Sequence, residues 1–243
     1  MTILVTASKG GQGATVVSIA TALAGSRRTA PTPDAGVTLI DLTGDATAAL
    51  GGLHDDEPGV ADWLRSSASA DRLDDLRRTV CGVSLLPWSP RTDELDRAPG
   101  VRSTDIDPSR WRTLGAAIRH HDERAGHTSV IDAGPATDAV RAAIDDVVVV
   151  TVTRACYLAL RHPHPEHRPD AVVLVTEPGR ALGPADVARS IGAPVIATTR
   201  WDPAIARAID AGLDATGCPR PMRRLGGAVL AWHETVSGRR TAA

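Results

Sequence analysis

The chain has 243 residues, a formal net charge of −2 and a hydrophobic content of 42%. A charge this small predicts no general attraction to nucleic acid or to an anionic membrane. The hydrophobic content suffices for one α/β core, so we predict a single domain over residues 1–243.

Three cysteines, Cys81, Cys156 and Cys218, stand far apart and form no C-x-x-C pair. This spacing indicates neither a disulfide framework nor a thiolate zinc site. The N-terminus shows no basic leader, and no apolar run approaches the length needed to span a bilayer. We therefore expect an unprocessed, cytoplasmic protein.

Seven short runs of apolar and β-branched residues have the character of strands that are covered on both faces. They are Ile3–Thr6, Val37–Asp41, Val83–Leu86, Ser129–Asp132, Val147–Val152, Ala171–Thr176 and Pro194–Thr198. Segments of helical length separate most of them. This alternation predicts an α/β fold, a mostly parallel, doubly wound sheet of about seven strands with helices on both faces.

Helices are predicted at Val16–Ala24, Ser109–Arg124, Pro184–Ile191, Ala204–Leu213 and Arg223–Val236. The second is the clearest, because Asp107 is a cap candidate and Pro108 stands at the first-turn position that tolerates proline. Breaks rich in Pro, Gly and charge, at Ser26–Gly36, Trp88–Asp107 and His162–Pro169, predict surface loops.

A glycine-rich stretch, Ser8-Lys9-Gly10-Gly11-Gln12-Gly13-Ala14-Thr15, joins the first strand to the first helix. Its glycines allow successive N–H groups to converge on phosphate oxygens at the helix N-terminus. Thr15 is placed to offer its hydroxyl to Mg²⁺. The match to G-x-x-x-x-G-K-[ST] is partial, because Ser8 replaces the first glycine and Ala14 replaces the lysine.

Lys9 is the only lysine among the 27 Lys and Arg residues of the chain. An ammonium is a compact point charge that arginine does not replace in a tight pocket. We therefore interpret Lys9 as a phosphate ligand.

Two acids end predicted strands. Asp41 emerges at the carboxyl edge of the sheet, where open α/β folds bind ligands. Asp132 closes the apolar run Ser129-Val130-Ile131, and it is either an acid near a metal ion or merely the cap of the next helix.

These motifs resemble those of the ParA/MinD family. Lys9–Thr15 is similar to its deviant Walker A loop, K-G-G-x-G-K-[ST], with the second lysine lost at Ala14. Asp41-Leu42-Thr43-Gly44-Asp45 is similar to its D-x-D motif, with Thr43 in the second position, and Asp132-Ala133-Gly134-Pro135 resembles its D-x-[PG]-P motif. The lost lysine suggests a divergent member, of actinobacterial type or like the TadZ proteins.

The resemblance implies a Mg²⁺-dependent ATP or ADP site and a homodimer that forms on ATP. Lys9 would reach the phosphates in the opposite subunit, Asp41 would lie near Mg²⁺, and Asp45 would orient water if it substitutes for the second aspartate. The implied catalytic residues are Lys9, Asp41 and Asp45, and the implied metal ligands are Thr15, Asp41 and Asp132. The implied nucleotide-binding residues are Lys9, Gly10, Gly11, Gln12, Gly13, Ala14, Thr15, Val16, Asp132, Gly134, Glu177, Trp201 and Asp202.

Several features of the second half admit two interpretations. Trp201 is placed either to stack on a base or to pack at a strand end, and Glu177 stands where the base would be bordered. His162, His164, Glu166 and His167 suggest a metal site less than they suggest exposed loop residues. The C-terminal arginines 220, 223, 224, 239 and 240 are either a solvated basic tail or a contact for DNA or lipid.

The sequence therefore predicts a ParA/MinD-like switch that acts in positioning, chromosome partitioning, cell division or regulation, with weak or absent hydrolysis. A partner protein would set its location. Two alternatives remain at this stage: a scaffold that binds no nucleotide, and a metabolic ATP-dependent enzyme of the same fold. A second substrate pocket would distinguish the enzyme.

Overall fold

Eight strands form one sheet in the order β3-β4-β2-β5-β1-β6-β7-β8. The computed structural model describes residues 2–7, 9–28, 36–51, 57–88, 106–134, 138–144, 147–156, 160, 168–213 and 217–241. The strands are β1 (Thr2–Ala7), β2 (Val37–Asp41), β3 (Arg78–Val80), β4 (Val83–Leu86), β5 (Thr128–Gly134), β6 (Val147–Arg154), β7 (Ala171–Thr176) and β8 (Val195–Arg200).

Helices alternate with most of the strands. They are α1 (Ala14–Arg28), α2 (Asp45–Ala49), α3 (Val60–Arg65), α4 (Pro108–Ala125), α5 (Asp138–Ala143), α6 (Pro184–Ile191), α7 (Pro203–Asp210) and α8 (Arg220–Thr241), with a 3₁₀ helix at Ala70–Leu76. Among the described residues, no helix is long and apolar enough to cross a membrane.

All strand pairs are parallel except β3 with β4, which form an antiparallel hairpin at the sheet edge. In the centre, Ile3 of β1 pairs with Val130 of β5 on one side and with Val148 of β6 on the other. The predicted mostly parallel α/β fold is therefore confirmed. This register brings the carboxyl ends of β1, β5 and β6 to one edge of the sheet.

Alternation along the strands divides the core between the two faces of the sheet. Ile3 and Val5 of β1 pack with α1 and α8 on one face, where the largest helix–helix contact lies. Leu4 faces the other side, in a cluster with Trp111 and Leu114 of α4. Both faces are covered by helices, as the continuous apolar strands require.

All seven predicted strands are present, and three, Val37–Asp41, Val83–Leu86 and Ala171–Thr176, have the predicted bounds. The sheet also contains an eighth strand, β3, beyond the seven predicted segments. Its sequence, Arg78-Thr79-Val80, lies half-exposed or exposed at the sheet edge, so it lacks the apolar run that marks the central strands.

The predicted helix Pro184–Ile191 also has its predicted bounds. Asp107 caps α4 as expected, accepting a hydrogen bond of 2.8 Å from the Ser109 N–H, and Pro108 occupies the first turn. Helices α1, α4 and α8 are longer than predicted, α7 is shorter, and α2, α3 and α5 were not predicted.

Candidate functional site

The glycine loop between β1 and α1 takes a backbone conformation that favours glycine. Gly11 has φ 74° and Gly13 has φ 100°, both in the left-handed region. The carbonyl of Gly13 accepts the first bond of α1, from the N–H of Val17 at 3.1 Å. The N–H groups of the first turn have no partners within the helix, so this end of α1 favours an anion.

A cavity of about 630 Å³ opens over this loop. Its lining includes most of the predicted site residues, namely Lys9, Gly10, Gly11, Gln12, Gly13, Ala14, Thr15, Val16, Asp45, Gly134, Trp201 and Asp202. Asp41, Asp132 and Glu177 are not among the described residues that line it. The carboxylates of Asp41 and Asp132 are fully buried, and Glu177 is engaged at the end of β7.

Asp41 is tied into its own loop by five hydrogen bonds. Its Oδ1 accepts from the N–H and hydroxyl of Thr43, at 2.9 and 3.0 Å, and from the N–H of Gly44 at 2.9 Å. Its Oδ2 accepts from the N–H and hydroxyl of Thr47, both at 2.7 Å. A carboxylate has about four lone-pair sites, so these bonds occupy it within the loop.

Asp132 presents the opposite case. Its Oδ1 is buried and has no hydrogen-bond partner among the described residues, while its Oδ2 accepts a long bond of 3.4 Å from the hydroxyl of Thr43. Burial, and then the charge of Asp41, raise the pKa of Asp132 to about 7, although polar contacts with Thr15 and with the backbone of Gly134 oppose the rise. A carboxyl in this environment is poised to meet a cation.

Thr43 lies between the two acids and contacts both of them. Its hydroxyl donates to Asp41. A Cβ added to Gly134 would lie 2.9 Å from the Thr43 methyl carbon. Gly134 has φ 54°, so both its conformation and its surroundings require glycine.

Asp45 begins α2 at the cavity wall. Partial burial, and then the charge of Asp41, raise the pKa of Asp45. Its carboxylate faces the cavity from the side of β2.

Arg154 is a site residue that the sequence analysis missed. The backbone N–H of Arg154 donates to Oε1 of the buried Gln12 at 2.8 Å. Its guanidinium Nη1 donates to Oε1 of Glu177 at 2.9 Å. Arg180 donates to the other oxygen of Glu177, at 2.9 and 2.8 Å. Hydrogen bonds from Arg180, with the charge of Arg154, hold the pKa of Glu177 below its ordinary value.

The far wall of the cavity comes from the turn between β8 and α7. Asp202 caps α7 by accepting a bond of 2.8 Å from the N–H of Ala204. Trp201 is 46% exposed, and its backbone N–H donates to the carbonyl of Thr176 at 2.8 Å. An indole held open beside a cavity is available to stack on a planar group.

Apolar side chains also line the cavity, and we call the group formed by Leu42, Trp88, Trp111, Ala133 and Val140 the apolar lobe. The indole N–H of Trp111 is buried and has no partner among the described residues. The lobe therefore offers an apolar wall with one hydrogen-bond donor.

No group of three or more His, Cys, Asp or Glu residues within the described part of the chain could by itself hold a metal ion. Some residues named in the sequence analysis lie outside the described residues, namely His162, His164, Glu166, His167, Ser8 and Pro135.

No family model matches the chain, and no curated protein matches it in sequence. Solved structures do match. MinD from Pyrococcus horikoshii OT3, complexed with Mg-ADP, has a TM-score of 0.68 at 18% identity, with 98% of each chain covered.

Two further structures are similar over most of their length. A ParA family ATPase from Chlorobium tepidum TLS has a TM-score of 0.66 at 19% identity, over 94% of this chain and 97% of that chain. A variant of McdA from Cyanothece in complex with ATP has a TM-score of 0.63 at 14% identity, over 94% and 95%. The chain therefore has the fold of the ParA and MinD ATPases.

Proposed function

We propose that the chain binds ATP or ADP with Mg²⁺ in the 630 Å³ cavity and acts as a ParA/MinD-like switch in the cytoplasm. ATP binding would drive dimerisation, and hydrolysis would be weak or absent. The observation that carries the proposal is the glycine loop, whose backbone conformation and position at the start of α1 form a phosphate cradle open to the cavity.

The buried donor set fits a hard cation. Thr15 and Asp132 would hold Mg²⁺, because the unpartnered Oδ1 of Asp132 is the kind of oxygen that this ion prefers. When bound, the ion would offset charge on the phosphates. The occupied lone pairs of Asp41 favour a positioning role for that residue, which holds Thr43 and Thr47 around the site.

The same geometry favours weak hydrolysis. Phosphoryl transfer to water needs a group that orients the nucleophile. Thr43 takes the place of the second aspartate in the resembled D-x-D motif, and its hydroxyl is already bonded to Asp41 at 3.0 Å. Asp45 lines the cavity and is the remaining carboxylate for this role on the β2 side.

The base would lie toward Trp201 and Asp202, at the end of the cavity away from β2. Exposed Trp201 would stack on it. MinD and McdA, which this chain resembles in fold, are described in complexes with Mg-ADP and ATP respectively, and this supports an adenine nucleotide.

Lys9 is exposed at the cavity rim, which suits a side chain that reaches across a dimer interface. Sedimentation of the protein with and without Mg-ATP tests this part of the proposal. We expect an ATP-dependent dimer in the wild type and its loss in Lys9→Ala, because no other lysine exists to replace it. If Lys9→Ala still forms the ATP-dependent dimer, Lys9 does not contribute to the dimer interface.

The apolar lobe favours a second candidate, an ATP-dependent enzyme whose other substrate would occupy it. Trp111 would then donate its indole N–H to an acceptor on that substrate. Small molecules that stabilise the protein against heat only when Mg-ATP is also present would favour this enzyme over a switch.

A further inference from the structure

The phosphate cradle lacks the cation that its sequence pattern requires. Ala14 stands at the lysine position, lines the cavity and is only 6% exposed. Lys9 is the only lysine, and it lies at the exposed rim of the loop. If the cavity takes a nucleotide, as proposed above, another residue of the same subunit has to supply charge to its phosphates.

The strand order brings one arginine beside the loop. Strand β6 is the direct neighbour of β1, and Ala7 pairs with Val152, so Arg154 follows two residues beyond that pair. The bond from the Arg154 N–H to Gln12 fixes the end of β6 against the glycine loop. A Cβ on Gly13 would lie 3.9 Å from Val152, which shows how closely loop and strand approach.

The guanidinium of Arg154 has donors to spare. It lines the cavity, its side chain is 33% exposed, and its Nε is buried with no partner among the described residues. Guanidinium carries five N–H donors, and Glu177 is bonded to Nη1. Glu177 is also shared with Arg180, so the three side chains together keep a net charge of +1.

Arg200 is the other arginine among the described residues of the cavity wall, but it ends β8. Neighbouring strands lie about 4.8 Å apart, so β8, three places from β1, lies about 14 Å from it. Arg154, one place away, is the better situated of the two for a ligand on the glycine loop.

We propose that Arg154 donates to the phosphate oxygens of a nucleotide bound in the cavity and supplies, from the end of β6, the positive charge that Ala14 does not supply. Glu177 holds the guanidinium in place without neutralising the cluster. The planar arginine fork suits bidentate contacts with phosphate.

Calorimetric titration of Mg-ATP into the wild type, Arg154→Ala and Arg180→Ala tests the proposal. Arg180 is the matched control, because it binds the same Glu177 and is not among the described residues that line the cavity. We expect Arg154→Ala to lower ATP affinity by roughly tenfold or more. Arg180→Ala lowers the charge of the cluster but removes no phosphate donor, so we expect it to lower the affinity by less than about threefold.

A double variant separates a phosphate contact from a structural role. If Arg154 and a lysine at position 14 supply charge to the same phosphates, Ala14→Lys should raise ATP affinity by a larger factor in the Arg154→Ala background than in the wild type. Equal factors in the two backgrounds would show that Arg154 supports the loop instead. Should Arg154→Ala not fold, as judged by circular dichroism, Arg154→Gln removes the charge and retains much of the side chain.

The outcomes distinguish this inference from the function on which it rests. A wild-type protein that binds no Mg-ATP would contradict the proposed function. A wild type that binds Mg-ATP, together with an Arg154→Ala variant that binds it equally well, would overturn the role of Arg154 alone.

Discussion

Asp132 is a buried carboxyl whose protonation changes the stability of the protein. Its pKa is raised from 3.8 to about 7, so the folded state binds this proton more tightly than the unfolded state does. A raised carboxyl pKa contributes stability that is present below the unfolded value and is lost as the pH rises toward the folded value. The loss from Asp132 therefore falls between about pH 4 and pH 7.

We expect Asp132→Asn to stabilise the ligand-free protein, and more so at pH 8 than at pH 5. The difference between the two pH values should be about 3 kcal/mol, because the amide avoids the cost of an ionised buried carboxylate. Urea unfolding of the wild type and the variant at both pH values measures it. An equal gain in the free energy of unfolding at pH 5 and pH 8 would show that folding does not raise the pKa of Asp132.

Ala14 leaves the glycine loop without a lysine at the position where the resembled motif has one. We expect Ala14→Lys to tighten ATP binding by roughly tenfold to a hundredfold, because charge-assisted contacts contribute about 1.5–3 kcal/mol. Turnover should stay low, since Thr43 supplies no carboxylate to orient water and its hydroxyl is bonded to Asp41. Calorimetry and phosphate release measure the two effects, with Ala14→Met as an uncharged control of similar length.

Brisk ATP hydrolysis by Ala14→Lys would contradict this account. It would mean that the missing lysine is the only deficit and that Asp45 or another acid orients the water. The description of the chain as a binding switch would then fail.

Among the elements, α1 and α8 depend on one glycine for their contact. A Cβ on Gly226 of α8 would collide with the carbonyl of Ala20 in α1 and lie 2.8 Å from the nitrogen of Thr21. These are backbone atoms, which cannot move aside as the end of a flexible side chain can. The two helices therefore approach as closely as glycine allows, over the face of the sheet that contains Ile3 and Val5.

We expect Gly226→Ala to destabilise the protein by about 2 kcal/mol or more through overpacking. The next residue provides the control, since a Cβ on Gly227 meets no atom within 4 Å. Gly227→Ala should be neutral or stabilising by up to about 1 kcal/mol, because alanine favours a helix. Thermal unfolding of both variants gives the comparison, and equal behaviour would mean that the helices do not meet at Gly226.

The central elements could be predicted because their residues carry local signals. Val37–Asp41 and Ala171–Thr176 are continuous apolar strands, and Pro184 with Gly192 marks both ends of α6. The signals fade where an element is short or exposed. Strand β3 is held by its hairpin partner, and α2 has five residues and begins after Gly44 at positive φ.

The contiguous motifs of the candidate site could be identified in the sequence, but the contacts between distant parts of the chain could not. The glycine loop and the two acids are contiguous motifs at strand ends, so they could be identified in the sequence. Arg154 could not, because its place beside the loop depends on β6 lying next to β1. The occupied carboxylate of Asp41 depends likewise on Thr47, which the unpredicted helix α2 brings to it.

For the whole molecule, the strand order explains why one cavity collects residues from distant parts of the chain. The ends of β1, β2, β5, β6 and β8 meet at one edge, so Thr15, Asp45, Arg154 and Trp201 border a common space. The similarity to MinD and ParA structures extends over nearly the full chain, although identity is only 18–19%. The fold is therefore shared at low sequence identity.

Calorimetric titration of ATP into the wild-type protein, once with Mg²⁺ and once with a chelator, tests the central claim most directly. We predict a saturable heat corresponding to one ATP per chain in the presence of Mg²⁺, and much weaker binding without it, because Thr15 and Oδ1 of Asp132, which has no partner among the described residues, would be ligands of the ion. No binding heat under either condition, with the protein folded, would contradict the account and identify the glycine loop as part of a scaffold that binds no nucleotide.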